Sequence, residues 1–112
     1  MTAQPSHPIP GKIADMVRRI VEQIRPDKIV LFGSYARGTA GPDSDVDLLV
    51  ILPVRGSKRK IAVQIYVLLA GTGLPKDIVV ATPEEIERYR DIPGTLIRPA
   101  LLEGRTLYER AA

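Results

Sequence analysis

Two short apolar runs, Lys28-Ile29-Val30-Leu31-Phe32 and residues 46–52, are too brief for helices and too apolar for strands open to water. Gly33 cuts off the first and Pro53 stops the second. Runs of that length, rich in β-branched residues, read as strands buried on both faces. Such a sheet needs helices to cover it, and helical stripes lie on either side. Ile13, Met16, Val17, Ile20, Val21 and Ile24 form one apolar face of a helix that ends before Pro26, with Arg18, Arg19, Glu22 and Gln23 opposite. Ser57 is the expected N-cap of a second helix, whose inner face is Ile61, Ala62, Ile65, Leu68 and Leu69 and which ends near Gly71-Thr72-Gly73.

Residues 78–81 make a third strand. Thr82-Pro83-Glu84-Glu85 carries every part of a helix start: a Thr cap, Pro at the first position and Glu three residues after the cap. Residues 95–103 read as a further helix in which Pro99 demands a kink or a late start, and Gly104 suits its end. The alternating Arg105-Thr106-Leu107-Tyr108-Glu109 is a short last strand. The order α-β-β-α-β-α-α-β predicts an α/β (α+β) fold, a small mixed sheet with helices packed on it. Residues 1–10 hold three prolines and no periodicity and read as a loose tail; residues 11–112 form one domain.

Composition removes whole classes of chemistry. There is no cysteine, so disulfides, thiolate metal sites and cysteine nucleophiles are excluded. His7 is the single histidine and cannot build a multi-histidine centre. No apolar run approaches the ~18 residues of a membrane span, and the opening MTAQPSHPIPGK lacks the build of a signal peptide, which makes a cytoplasmic address the expectation. The net charge of +3 is compatible with an acidic ligand. Four Tyr and one Phe are few for a nucleic-acid surface, and the densest basic run, Lys58-Arg59-Lys60, holds no aromatic, so it reads as a solvated helix start and nucleic acid is disfavoured as a partner.

Three carboxylates stand out: Asp45, Asp47 and Asp77. Residues two apart on a strand share a face, about 6.5 Å apart, so Asp45 and Asp47 project together from the start of the second strand. Carboxylates that close repel unless a cation lies between them, and hard oxygen ligands select Mg²⁺ or Mn²⁺. Asp77 opens the third strand and joins them if that strand lies beside the second. Asp45 and Asp77 also suit a turn and a solvated strand end. Asp47 interrupts an otherwise buried run, and a buried carboxylate needs a partner. The second half of the pattern is Gly33-Ser34-Tyr35-Ala36-Arg37, where a strand ends and a helical turn is expected. Gly33 lets an anion approach the backbone, the Ser34 hydroxyl and free N–H groups can hold phosphate oxygens, and Arg37 lies one turn on. Tyr35 and Tyr66 could stack on a base or simply pack.

Gly33-Ser34, ten residues, Asp45-x-Asp47 and then a carboxylate on the next strand resemble the signature of the minimal nucleotidyltransferase domains, within the DNA polymerase β-like nucleotidyltransferase superfamily. Arg37-Gly38, Ser44-Asp45-Val46-Asp47-Leu48 and the closing Glu103 to Tyr108 are similar too, whereas Pro99 in the last helix departs from the pattern. The resemblance implies that Gly33, Ser34 and Arg37 bind a nucleoside triphosphate such as ATP. It implies that Asp45, Asp47 and Asp77 coordinate two Mg²⁺ ions, with Asp77 also helping to activate the attacking hydroxyl. A nucleoside monophosphate would pass to an acceptor hydroxyl and pyrophosphate would leave. Larger members add a helical domain that holds the acceptor. These 112 residues have no room for one, so the acceptor is expected from another molecule. The resemblance extends to antitoxins paired with a HEPN-type ribonuclease toxin, neutralised by AMP transfer or by occlusion.

Overall fold

The computed structural model describes residues 9–111. The expected loose tail therefore lies outside the described residues, as does His7, except for Ile9, which packs against the core, and Pro10, which stands at the N-cap of the first helix. The elements in chain order are α1 (Gly11–Ile24), β1 (Lys28–Phe32), α2 (Ser34–Arg37), β2 (Val46–Ile51), α3 (Lys58–Leu68), β3 (Lys76–Ala81), α4 (Pro83–Tyr89), α5 (Ile97–Glu103) and β4 (Arg105–Glu109). Among the described residues no helix is long and apolar enough to cross a membrane.

The four strands form one mixed sheet in the order β3-β2-β1-β4. β1 pairs antiparallel with both β2 and β4, while β2 and β3 run parallel. The two faces are covered by different helices. Ile29, Leu31, Val46, Leu48, Val50 and Ile78 pack with Ile13, Met16 and Ile20 of α1 and Ile65 of α3. Val30, Leu49, Ile51 and Ala81 pack on the opposite side with Ala100 and Ile97 of α5 and Ile86 of α4. The central strands are buried on both faces, which is why they read as unbroken apolar runs. Each fully buried Ile or Leu contributes about 1.5–3 kcal/mol.

The local signals act as their chemistry predicts. The Ser57 side chain accepts from the Lys60 N–H at 3.2 Å, so α3 opens with the run Lys58-Arg59-Lys60, exposed on the helix start. Thr82 and Glu85 make both bonds of a capping box, 3.1 and 2.9 Å. Pro99 takes the late start rather than the kink: α5 begins at Ile97, so Pro99 falls in the first turn, where its missing N–H has no intrahelical partner to lose. Gly104 closes α5, as expected, but not through a left-handed conformation. Its φ is −76°, open to any residue. A Cβ there would lie 2.1 Å from the Ala100 carbonyl oxygen and 2.4 Å from Val30 Cγ1, so glycine is required by the close approach of the α5 end to β1.

Candidate active site

β1 ends where β2 begins, because they are antiparallel, and β3 begins there as well, because it runs parallel to β2. The Gly33 corner and all three acids therefore lie at one end of the sheet. Register places Phe32 opposite Asp47 and Asp47 opposite Asp77. Paired positions on adjacent strands are about 5 Å apart and point to the same face. For Asp47 and Asp77 that face is the one covered by α4 and α5, since Leu49, Ile51 and Val79 share it. Asp45 immediately precedes β2 and is exposed, as is Asp77, while Asp47 is half-buried.

Burial raises the pKa of Asp47 above its ordinary value, the charges of Asp77 and Asp45 raise it further, and Arg37 draws it partly back. One carboxylate thus feels both of the others and the Arg37 cation. The three do not close into a single ligand shell: among the described residues no three His, Asp or Glu side chains are gathered closely enough to hold one ion. Like charges on exposed positions keep apart. The donor chemistry nonetheless fits a hard divalent cation, because every group is a carboxylate oxygen and Asp47 is crowded by like charge.

Gly33 fits tightly against this carboxylate. It adopts φ 75°, and a Cβ on it would lie 2.1 Å from Asp47 Oδ2. Its carbonyl accepts the N–H groups of Ala36 and Arg37, each at 3.1 Å, which winds α2 directly off β1. The room that glycine makes is thus filled by the acid itself, a role that reading the glycine as an opening for an anion did not include. Ser34 is half-buried at the first position of α2. Arg37, at its end, is half-exposed and pairs with Glu103 of α5 at 3.3 Å.

Two partners were not legible from spacing. The sequence marks Glu103 as the close of a helix and the start of the family-like closing segment, and leaves Tyr66 to stack or pack. The Tyr66 hydroxyl instead accepts the Ile78 N–H at 2.9 Å and lies 3.4 Å from Asp77 Oδ1. Cavity volume does not point to the site: a cleft of about 620 Å³ at the start of α3, lined by Ser57, Arg59, Lys60, Val63 and Gln64, and one of about 430 Å³ between α1 and β4, lined by Ile9, Val17, Val21, Leu107 and Tyr108 among others, contain none of these residues.

Comparison with known proteins identifies the family and the fold. The profile of the family described as Nucleotidyltransferase domain matches residues 12–108. A bifunctional uridylyltransferase/uridylyl-removing enzyme of Bordetella pertussis is 36% identical over 115 residues, covering 90% of this chain and 13% of that protein, so the chain spans a small part of that relative's length. A provisionally named protein adenylyltransferase of Methanocaldococcus jannaschii is 45% identical over 82 residues, covering 70% of this chain and 43% of the relative. Among solved structures, a toxin–antitoxin with AMP-PNP superposes with a TM-score of 0.60 at 22% identity, covering 89% of this chain and 73% of that one. A provisionally assigned nucleotidyltransferase of Sulfolobus solfataricus superposes with a TM-score of 0.54 at 18% identity, covering 95% and 94%. At those identities the two structures establish the shared fold.

Proposed function

From the premise that this chain belongs to the nucleotidyltransferase domain family, we propose that it transfers AMP from ATP to a hydroxyl on a partner protein, a HEPN-type ribonuclease toxin that it thereby neutralises in the cytoplasm. The observation that carries the reading is the register of β2 and β3, which sets Asp47 beside Asp77 at the strand ends that also bear Gly33 and Ser34. Support for a protein acceptor comes from the relatives named as protein adenylyltransferases. Support for ATP and a toxin comes from the structural neighbour that is a toxin–antitoxin with AMP-PNP.

In this reading the Gly33-Ser34 corner holds the triphosphate, and Arg37 turns from Glu103 to a phosphate oxygen. Both partners of that ion pair are half-exposed, so exchanging one anion for another costs little. Asp45, Asp47 and Asp77 are the side chains that would hold two Mg²⁺ ions, and the chemistry those ions supply when bound is neutralisation of charge on the phosphates. Asp77 accepts the proton of the attacking hydroxyl. The hydroxyl oxygen bonds to the α-phosphorus, the bond from that phosphorus to the bridging oxygen breaks, and pyrophosphate leaves with the electron pair. Most of the acceleration comes from holding reactants in line.

Labelled ATP, Mg²⁺ and the purified partner test this directly: the label should pass to the partner, and Asp47→Ala should abolish the transfer. Label retained by Asp47→Ala would remove the mechanism. A second reading, neutralisation by occlusion alone, draws on the large apolar side chains left exposed on α3 and α5, above all Val67 and Leu102. It requires the opposite result, full neutralisation by Asp47→Ala without transfer.

A further inference from the structure

Asp77 is exposed and stands on an edge strand, where a short carboxylate is free to change rotamer. Tyr66 restricts it. Among the described residues β3 pairs with β2 alone, and the Ile78 N–H turns away from that partner to the Tyr66 hydroxyl at 2.9 Å. The phenol has one proton to donate. With the Ile78 N–H occupying a lone pair of the oxygen, that proton is left for Asp77 Oδ1, 3.4 Å away. The contact is long for an O–H···O bond, so the hydroxyl steers the carboxylate without clamping it. The geometry is asymmetric in a useful way: the oxygen is fixed to backbone of the strand that carries Asp77, one residue on, so it moves with the group it orients.

We propose that Tyr66 is a positioning residue that biases the Asp77 carboxylate toward its working orientation at the start of β3. The proposal rests on the nucleotidyl-transfer reading for its effect on rate, and on the placement of Tyr66 alone for its effect on cation binding. It gives α3 a part in the site, although that helix packs on the opposite face of the sheet. The mechanism is preorganisation: an acid already oriented loses less freedom when a cation or a hydroxyl arrives.

Tyr66→Phe keeps the ring and removes one oxygen. The expected result is a fall in kcat of about tenfold with KM for ATP unchanged, and Mn²⁺ binding weakened about threefold or more, read from the paramagnetic resonance of the free ion. In an Asp77→Asn background the same change should not alter Mn²⁺ binding further, because the group it acts through is gone. Equal losses in both backgrounds would mark a general effect on packing and overturn the proposal. So would Mn²⁺ binding that is indifferent to the substitution. AMP recovered on Tyr66 itself by peptide mass spectrometry would also overturn it, making the hydroxyl an acceptor. If the intact chain transfers nucleotide to nothing, the functional reading fails, and the Mn²⁺ measurement alone still decides on Tyr66.

Discussion

A β-carbon on Gly33 and the Asp47 carboxylate oxygen would lie 2.1 Å apart, and the backbone there has φ 75°, so two separate penalties guard the position. Gly33→Ala should destabilise the fold by about 1–3 kcal/mol, combining left-handed strain with overpacking. In an Asp47→Ala background the steric part disappears and only the strain remains. Denaturant midpoints of the four chains measure that difference, and equal costs in both backgrounds would refute the steric account. Asp47 carries a penalty of its own. Its pKa is raised in the folded chain, chiefly by burial, so the folded state binds its proton more tightly than the unfolded state. The favourable contribution is complete below the unfolded value and is lost as pH rises through the raised folded one. Asp47→Asn should therefore melt higher than the parent at pH 7, by less than about 1 kcal/mol after solvent screening, and the advantage should vanish below about pH 4, where the parent acid is protonated as well. A difference that persists in acid would mean the amide gains a contact of its own. Asp47 was legible because it breaks an apolar run. Glu103 and Tyr66 are not legible in this way: Arg37 lies far from Glu103 in the chain, and Tyr66 meets Asp77 only when α3 packs beside β3.

Among elements, β3 shows where pattern reading stops. Residues 78–81 announce themselves by β-branching, but the strand begins at Lys76, and its first two residues are polar because they stand at the open end of the sheet. Lys76 falls outside the apolar run for that reason, while Asp77, expected to open the strand, stands in the second position and belongs to the candidate site. α5 teaches the converse. Its Gly104 was assigned to a helix end correctly, yet the reason lies in the tight fit of that end against β1, which no local signal encodes. Gly104→Ala should cost about 1–3 kcal/mol or more, because the three atoms met by the new methyl, two backbone oxygens and a β-branched carbon, cannot swing aside. Thermal melting should fall by several degrees for a chain of this length. A neutral result would show that α5 slides easily on the sheet. It would also weaken any role for the Arg37–Glu103 pair, which depends on where α5 ends.

At the scale of the molecule, sheet order is what turns scattered acids into a site. Neither length nor periodicity says that β3 lies beside β2, and with β3 next to β4 instead, Asp77 would have been a solvated strand end. The outcome is a chain with a net charge of +3 that concentrates Asp45, Asp47 and Asp77 at one end of its sheet. That local excess is unfavourable without a counter-charge, and the cost is felt at Asp47. A divalent cation that binds the folded chain and not the unfolded one must then stabilise it. At ten times its Kd the gain is about 1.4 kcal/mol, which in a domain of this size raises Tm by roughly 5–10 °C. Mg²⁺ or Mn²⁺ should produce that rise at concentrations where KCl of matched ionic strength does not, because screening is common to both salts and coordination is not. Asp47→Asn should abolish most of the response, being the acid on which the other two act. A shift of equal size in that variant would place the cation elsewhere on the surface and separate the acidic cluster from metal binding altogether.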